Sequence, residues 1–426
     1  MSEAAPAKAD PATGGRPAEA VDPGVERRAA SRAPRRLRNV FNLEEFEAVA
    51  RRHLPRGVFG YVAGAADGWT AFGDNRTDFS HVKMLPRVLA GCATRDQHKT
   101  LFGVRYNHPF GIAPMGLSAL AAYDGDVVLA KAAAELGIPA VMSATSLTSL
   151  ERVAREGPSR WYQAYLPGDD ERIVAMVDRI AAAGYEVLVM TADVPVAGNR
   201  EDSKRDKFGA PLKPSLDVAL QGLVRPAWVW ETMLRTLRVH GMPHFENSDV
   251  KRGPPIIARE VVRSFAGRAS LSWRHAEIVR ERFKGKVVIK GVIAPEDAAK
   301  AREIGMDGII VSNHGGRQLD SSISSIAALP AVKAASGDMC VMLDSGVRRG
   351  SDVLKAMALG ADFVFVGRPF LFAAAVSGVP GVAYAADLLA AEVDRDMAML
   401  GIASLDELTG NVLAPQWRPS RAGAPG

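Results

Sequence analysis

From residue 109 onward the chain alternates between two hydrophobic patterns. Short runs rich in Val and Ile recur as "FGIAP", "PAVMS", "RWYQAY", "EVLVMT", "KVVIK", "DGIIVS", "MCVML" and "DFVFVG", with Ala-rich stretches of helical spacing between them. The runs are apolar throughout, as strands buried on both faces of a parallel sheet are. Eight such strand–helix units predict an α/β fold, a closed (β/α)8 TIM barrel rather than an open sheet.

Upstream, "FNLEEFEAVARRHL" spaces Phe41, Leu43, Phe46, Val49 and Ala50 as one helical face behind Asn42, a capping residue. Residues 1–40 are rich in Ala, Pro, Gly and Arg and are expected to be a disordered N-terminal tail. The barrel domain is expected over 41–410, and 411–426 as a flexible C-terminal tail. One interval breaks the rhythm. About a hundred residues separate the fourth run, ending at Thr191, from the fifth, ending at Lys290. The excess predicts a long active-site loop insertion after strand 4, about residues 204–272.

Composition narrows the class. With 426 residues and 47% hydrophobic content, the chain can bury a large core. No apolar run reaches the ~20 residues of a spanning helix. Cys92 and Cys340 cannot build a disulfide framework, and no secretory signal is seen, which fits a cytoplasmic protein. The net charge of +5 is concentrated in two places. Residues 1–40 hold eight Lys/Arg against five Asp/Glu, and residues 204–272 hold twelve against six. Zinc-finger spacing and aromatic RNA-binding signatures are missing, so neither a metal nor nucleic acid is expected.

The runs end in polar or special residues: Pro114, Ser143, Gln163, Thr191, Lys290, Ser312, Asp344 and Gly367. In such barrels the strand C-termini converge on one mouth, where chemistry is done. "SNHGGRQLD", Ser312 to Asp320, adds His314, able to take a proton near neutral pH, and Arg317, a planar fork for a carboxylate. "TADVPVAGNRE" adds Asp193, able to orient His314, and Arg200, a second guanidinium. Two arginines aimed at one pocket imply an anionic substrate. "DSGVRRG" and "VGRP" are glycine–arginine turns that open helices seven and eight, a setting that favours a phosphate. Lys290 is either a Schiff-base lysine, as in a phosphate-binding barrel lyase, or a fixed cation beside a cofactor.

These residues resemble the FMN-dependent α-hydroxyacid dehydrogenase/oxidase family. "SNHGGRQLD" matches its active-site signature, and the likeness extends to "LPRGVFGYVAGAADGWT", "DNRTDF", "VIKGV" and "DSGVRRG". The resemblance implies noncovalent FMN and oxidation of an (S)-2-hydroxy acid to the 2-keto acid. His314 is then the base and Asp193 its partner. Arg200, Arg317, Tyr61 and Tyr165 meet the substrate. Lys290 becomes the cation by the flavin ring, with Met115, Gly116, Ser143, Gln163, Thr191 and Ser312 also against the flavin. Asp344 meets the ribityl chain, and Gly346, Arg348, Gly367 and Arg368 hold the phosphate.

"RVHGMPHFEN" and "TADVPVAGNRE" most resemble the mandelate dehydrogenase branch, which implies a mandelate-like or other bulky 2-hydroxy acid, lactate remaining possible, and a quinone-type acceptor. Gly116 stands where family oxidases, which give hydrogen peroxide, tend to have alanine. Family likeness also implies a homotetramer. In the insertion, Trp230, Met233, Leu234 and Leu237 form a helical stripe near Trp228, with Arg225, Arg235 and Arg238 between. Such a helix can lie in a bilayer interface. It can equally cover the barrel mouth or pack on a neighbouring subunit; the resemblance implies that residues 206–268 make a peripheral contact with the cytoplasmic face of the inner membrane.

Overall fold

The computed structural model describes residues 33–157, 160–209, 212, 215–250, 252–257 and 267–417. The expected tails beyond residues 33 and 417, and parts of the insertion, lie outside them. All eight apolar runs are strands: β1 Phe110–Ile112, β2 Val141–Ser143, β3 Trp161–Ala164, β4 Val187–Thr191, β5 Lys286–Val292, β6 Gly308–Val311, β7 Cys340–Leu343 and β8 Phe363–Val366. Every neighbouring pair is parallel, in the order β1-β8-β7-β6-β5-β4-β3-β2. A parallel bridge from Ile112 to Ala140 joins the two ends into a ring.

The side-chain period of two then divides each strand. One set of residues packs against the surrounding helices in the large outer core. The other set fills the barrel interior: Val141, Trp161, Val187, Val189, Val288, Ile310, Met342, Phe363 and Phe365. Two residues beyond the last apolar member of this inner set come Ser143, Gln163, Thr191, Lys290, Ser312, Asp344 and Gly367. Alternation alone therefore makes the polar strand ends the top layer of the barrel.

The opposite end is stoppered. An antiparallel hairpin pairs Lys99–Leu101 with Val104–Tyr106 and drives Leu101 and Phe102 into the interior core. Phe102 lies 5.6 Å from Trp161, and Tyr106 lies 5.8 Å from Phe363, centroid to centroid. The one described helix long and apolar enough to cross a membrane, Arg368–Leu400, has 78% of its apolar window buried and breaks at Ser377 and Gly378. It is a core helix of the barrel's outer layer.

Three expectations change. Order begins before residue 41: Arg35–Leu37 form a short 3-10 turn, and Leu37 and Val40 are buried. Their burial is secured by Tyr384, whose hydroxyl donates to the Val40 carbonyl at 2.6 Å. At the other end Val412 and Leu413 are buried too, and Leu413 bridges to Met84, so the segment from 411 to 413 belongs to the packed body. The first long helix is Glu45–His53, and Asn42 accepts from the Glu44 and Glu45 amides as a cap should, but Phe41 is exposed and joins no buried face.

The insertion is largely helical where described: Glu201–Arg205, Leu216–Leu223 and a continuous run from Pro226 to His240. Val229–Leu234 is wound as a π-helix. That wider turn shifts the phase read from the sequence. Trp230, Leu234 and Leu237 face solvent, while Trp228 is buried and Met233 packs on the core. Arg225 donates to the Leu54 carbonyl at 3.1 Å and Arg235 rests on the Tyr123 ring, so both tie the insertion down.

Replacing Trp161 by Ala removes the largest side chain in contact with the stopper. The expected cost is about 3–5 kcal/mol of stability, measured as a lower midpoint in denaturant unfolding; an unchanged midpoint would show that the stopper does not stabilise the barrel.

Candidate active site

The top layer opens into a cavity of about 810 Å³, within the range of sites that enclose a cofactor-sized ligand. Of the sequence candidates, Tyr61, Met115, Gly116, Ser143, Gln163, Tyr165, Thr191, Arg200, Lys290, His314, Arg317, Asp344, Gly346, Arg348, Gly367 and Arg368 line it. Asp193 and Ser312 stand behind the wall.

The His314 Nδ1 lies 3.0 and 3.1 Å from the two Asp193 carboxylate oxygens, which leaves Nε2 as the ring nitrogen for the cavity. Asp193 fits because Gly291, at φ +101°, forms a bulge between β5 and β6; a Cβ there would sit 2.5 Å from Asp193 Cβ and Cγ. Ser312 does not meet the cavity as expected of a flavin contact. It is fully buried, and its Oγ accepts from Lys290 Nζ at 2.8 Å and from the His314 amide at 3.0 Å. Ser312 therefore aims the cation and the base at once.

Much of "SNHGGRQLD" builds the turn rather than the chemistry. Asn313 accepts from Asn75 at 2.8 Å and from the Gly316 amide at 3.2 Å. Asp320 accepts from the amides of Gly68 and Ala71 at 3.0 and 3.1 Å. Arg317 donates to the carbonyls of Tyr61, Val62 and Gly64 at 2.7, 3.1 and 2.7 Å, closing the end of helix Arg56–Ala63. A guanidinium has five N–H groups, so two remain for the cavity.

The electrostatics are unbalanced in one direction. Burial pushes the Arg348 guanidinium down to about 10 and Arg317 down to about 9, with Arg76 and Arg200 respectively adding repulsion. Burial also lowers Arg368 well below its usual value. Among the described residues none of these three has a carboxylate within ion-pair distance. Buried cations arranged so are costly without an anion. Among the neutral groups on lining residues, Gln163 Nε2, Thr191 Oγ1 and Gln318 Oε1 are also unsatisfied. The Gln163 oxygen already accepts from Ser143 Oγ at 3.1 Å, so the amide NH2 is held toward the cavity as a donor. The cavity thus suits an anionic ligand with a polar-edged planar part.

The titratable pairs are set as well. Burial lowers the His314 pKa and outweighs the upward pull of Asp193, so the imidazole is neutral at pH 7. Burial pushes Asp193 up, but His314 and Lys290 more than offset it, and the carboxyl stays ionised. For Lys290 burial favours the neutral amine; Asp344, at 3.0 Å, reverses that and keeps the ammonium. A lysine held protonated is a poor Schiff-base nucleophile, which argues against the lyase alternative.

Residues not anticipated also line the cavity: Thr145, Ser345 and Val347 on the strand-end turns, and Phe245, Arg252, Pro254 and Arg268 from the insertion. Thr145 and Ser345 lie one or two residues past predicted strand ends and were within reach of the strand rhythm. The insertion residues follow no such rhythm, and only the long interval hinted at them.

Residues 50–415 match the family model described as FMN-dependent dehydrogenase. An L-lactate dehydrogenase of Ectopseudomonas mendocina is 38% identical over 377 residues, covering 87% of this chain and 98% of that protein. The crystal structure of a monotopic membrane protein, (S)-mandelate dehydrogenase, superposes with a TM-score of 0.79 at 33% identity over 88% of this chain and 99% of the other. A mandelate oxidase structure gives 0.72 at 33% identity, covering 88% and 98%.

Since Asp193 raises the proton affinity of His314 against burial, Asp193→Asn is expected to move the imidazole midpoint further down. Nitrogen NMR of the ring across a pH titration reads it, and an unmoved midpoint would show that the two groups do not interact.

Proposed function

The chain belongs to the FMN-dependent dehydrogenase family, and from that premise we propose that it oxidises an (S)-2-hydroxy acid with a bulky or aromatic side chain to the 2-keto acid, for a quinone-type acceptor. The observation that carries this reading is the single cavity shared by the His314–Asp193 pair, Arg200 and Arg317, and the buried cations Arg348 and Arg368.

The residues fit FMN. Arg348 and Arg368, with Gly346 and Gly367, suit its phosphate, and Asp344 its ribityl hydroxyls. Gln163 Nε2 and Thr191 Oγ1 supply the polar edge contacts, beside Ser143 and the backbone of Met115 and Gly116. When bound, FMN supplies the two-electron acceptor for the reaction. This chain's own residues do the rest. Arg200 and the two remaining N–H groups of Arg317 hold the substrate carboxylate, with Tyr61 and Tyr165 beside it. That grip fixes the 2-hydroxyl and its carbon relative to His314. His314 Nε2 takes the proton, and ionised Asp193 stabilises the imidazolium that results. Lys290 stays protonated as a fixed positive charge.

Two readings of the acceptor remain. Gly116, where the resemblance places alanine in the oxidases, favours a dehydrogenase; a Cβ there would collide with Thr145 Oγ1, so alanine needs a shifted neighbour. The similarity to a mandelate oxidase favours oxygen, and peroxide formation during turnover decides between them. The reading extends to a homotetramer and to peripheral attachment on the cytoplasmic face of the inner membrane. Attachment is supported by exposed Leu216, Leu220, Leu223, Val224, Trp230, Leu234 and Leu237 on the insertion, and by the monotopic relative.

Anaerobic addition of 2-hydroxy acids is expected to bleach the flavin absorbance. His314→Gln should keep its FMN and bleach at least ~100-fold more slowly; bleaching at the parental rate would remove His314 from the mechanism. Trp230→Ser, Leu234→Ser and Leu237→Ser together should abolish flotation with anionic vesicles and leave bleaching intact, whereas a parent that never floats would defeat the membrane reading.

A further inference from the structure

We propose that Ser345 is a positioning residue for His314: its hydroxyl holds the peptide that follows the base and so fixes where the imidazole points. The proposal rests on the reading of His314 as the base, and names what keeps that base in place. His314 lies beyond the end of β6, where the strand ladder no longer holds the chain. The φ angles of His314, Gly315 and Gly316 are +57°, +67° and +73°. Glycine enters that left-handed region without a steric cost, and histidine does not. The base therefore sits in a backbone state that its neighbours must impose. Two serine hydroxyls do so. Ser312 Oγ accepts from the His314 amide at 3.0 Å, and Ser345 Oγ accepts from the Gly315 amide at 2.9 Å. The two amides bracket the histidine.

Ser345 is itself at φ +78°, and Gly346 follows at +86°. Gly346 has a reason to be glycine, since a Cβ there would lie 2.1 Å from the Asn75 carbonyl oxygen. The backbone at 345 also favours glycine, yet a side chain is kept. Its hydroxyl supplies the reason. A serine hydroxyl has one hydrogen, and this one is donated to Asp344 Oδ1 at 2.9 Å, which leaves the lone pairs for the Gly315 amide. The other Asp344 oxygen lies 3.0 Å from Lys290 Nζ, and Lys290 donates to Ser312 Oγ at 2.8 Å. The circuit is closed. One buried ion pair orients both serines, and both serines hold the backbone of the base, one from the end of β6 and the other from the end of β7.

The substrate carboxylate is held by other means. Arg317 is locked by the Tyr61, Val62 and Gly64 carbonyls, none of which touches this circuit. Loss of the Ser345 hydroxyl should therefore loosen the base and leave the grip on the carboxylate intact.

The test measures anaerobic flavin reduction in the FMN-loaded full chain, per bound flavin, with (S)-mandelate, or with (S)-lactate where mandelate is not oxidised. Ser345→Ala removes the hydroxyl and keeps the unfavourable φ; Ser345→Gly removes both. Each should slow the reduction rate at saturating substrate roughly 10- to 100-fold and change the apparent substrate Kd less than about threefold. The unfolding midpoint should rank Ser345→Gly above Ser345→Ala, because only glycine suits the backbone there. Rate then follows the hydroxyl while stability follows φ. A double-mutant cycle isolates the route: in the His314→Gln background, Ser345→Ala should cost less than about twofold in rate. Rates that track the midpoints, with Ser345→Gly close to the parent, overturn the proposal. So does a full additional loss in the His314→Gln background, which would place the effect of Ser345 on the flavin side. In both cases a slow His314→Gln enzyme leaves the reading of the base standing. His314→Gln reducing flavin at the parental rate takes both away.

Discussion

Everything at the mouth of this barrel depends on the strict alternation of side chains along eight short parallel strands. Each strand contributes only two or three inward residues. Apolar ones fill the lower layers and polar ones the last. A one-residue slip in β5 would point Lys290 outward and bring Val287 or Ile289 into the interior. The bulge at Gly291 comes after Lys290, so register is kept where the cation is set and relaxed only where Asp193 needs room.

The second constraint is electrostatic. The guanidiniums of Arg317, Arg348 and Arg368 and the Lys290 ammonium all line the same cavity, and of these four groups only the ammonium has a carboxylate partner at close range among the described residues. Proteins tolerate such an excess where a ligand supplies the missing charge, because pre-placed cations then need no reorganisation when that ligand arrives. The protein gives up some stability in its empty state for a site already shaped to its cofactor and substrate. Ser312 shows how tightly the arrangement is coupled, since one hydroxyl receives hydrogen bonds from both the ammonium and the backbone of the base.

Much of this was legible in the residues, for a physical reason. Strand period, the polar strand ends and the glycine–arginine turns are local signals, and they located the barrel, its mouth and most of the cavity wall. What failed depended on distant partners. Nothing near Arg317 announces that three of its N–H groups go to a helix end some 250 residues earlier. Ser312 reads as one more polar strand end, but its hydroxyl is taken up by Lys290 and the His314 amide and does not line the cavity. Met233 fits a helical stripe until a π-turn changes the phase. Leu37 and Leu413 look like parts of polar termini because the surfaces that bury them lie elsewhere in the chain.

The hairpin stopper has a kinetic corollary. With the floor of the barrel filled by Leu101, Phe102 and Tyr106, traffic of small molecules runs through the upper opening. On the function proposed above, the acid would enter and the oxo acid leave by that one doorway, so a slow-leaving product would keep the next acid waiting.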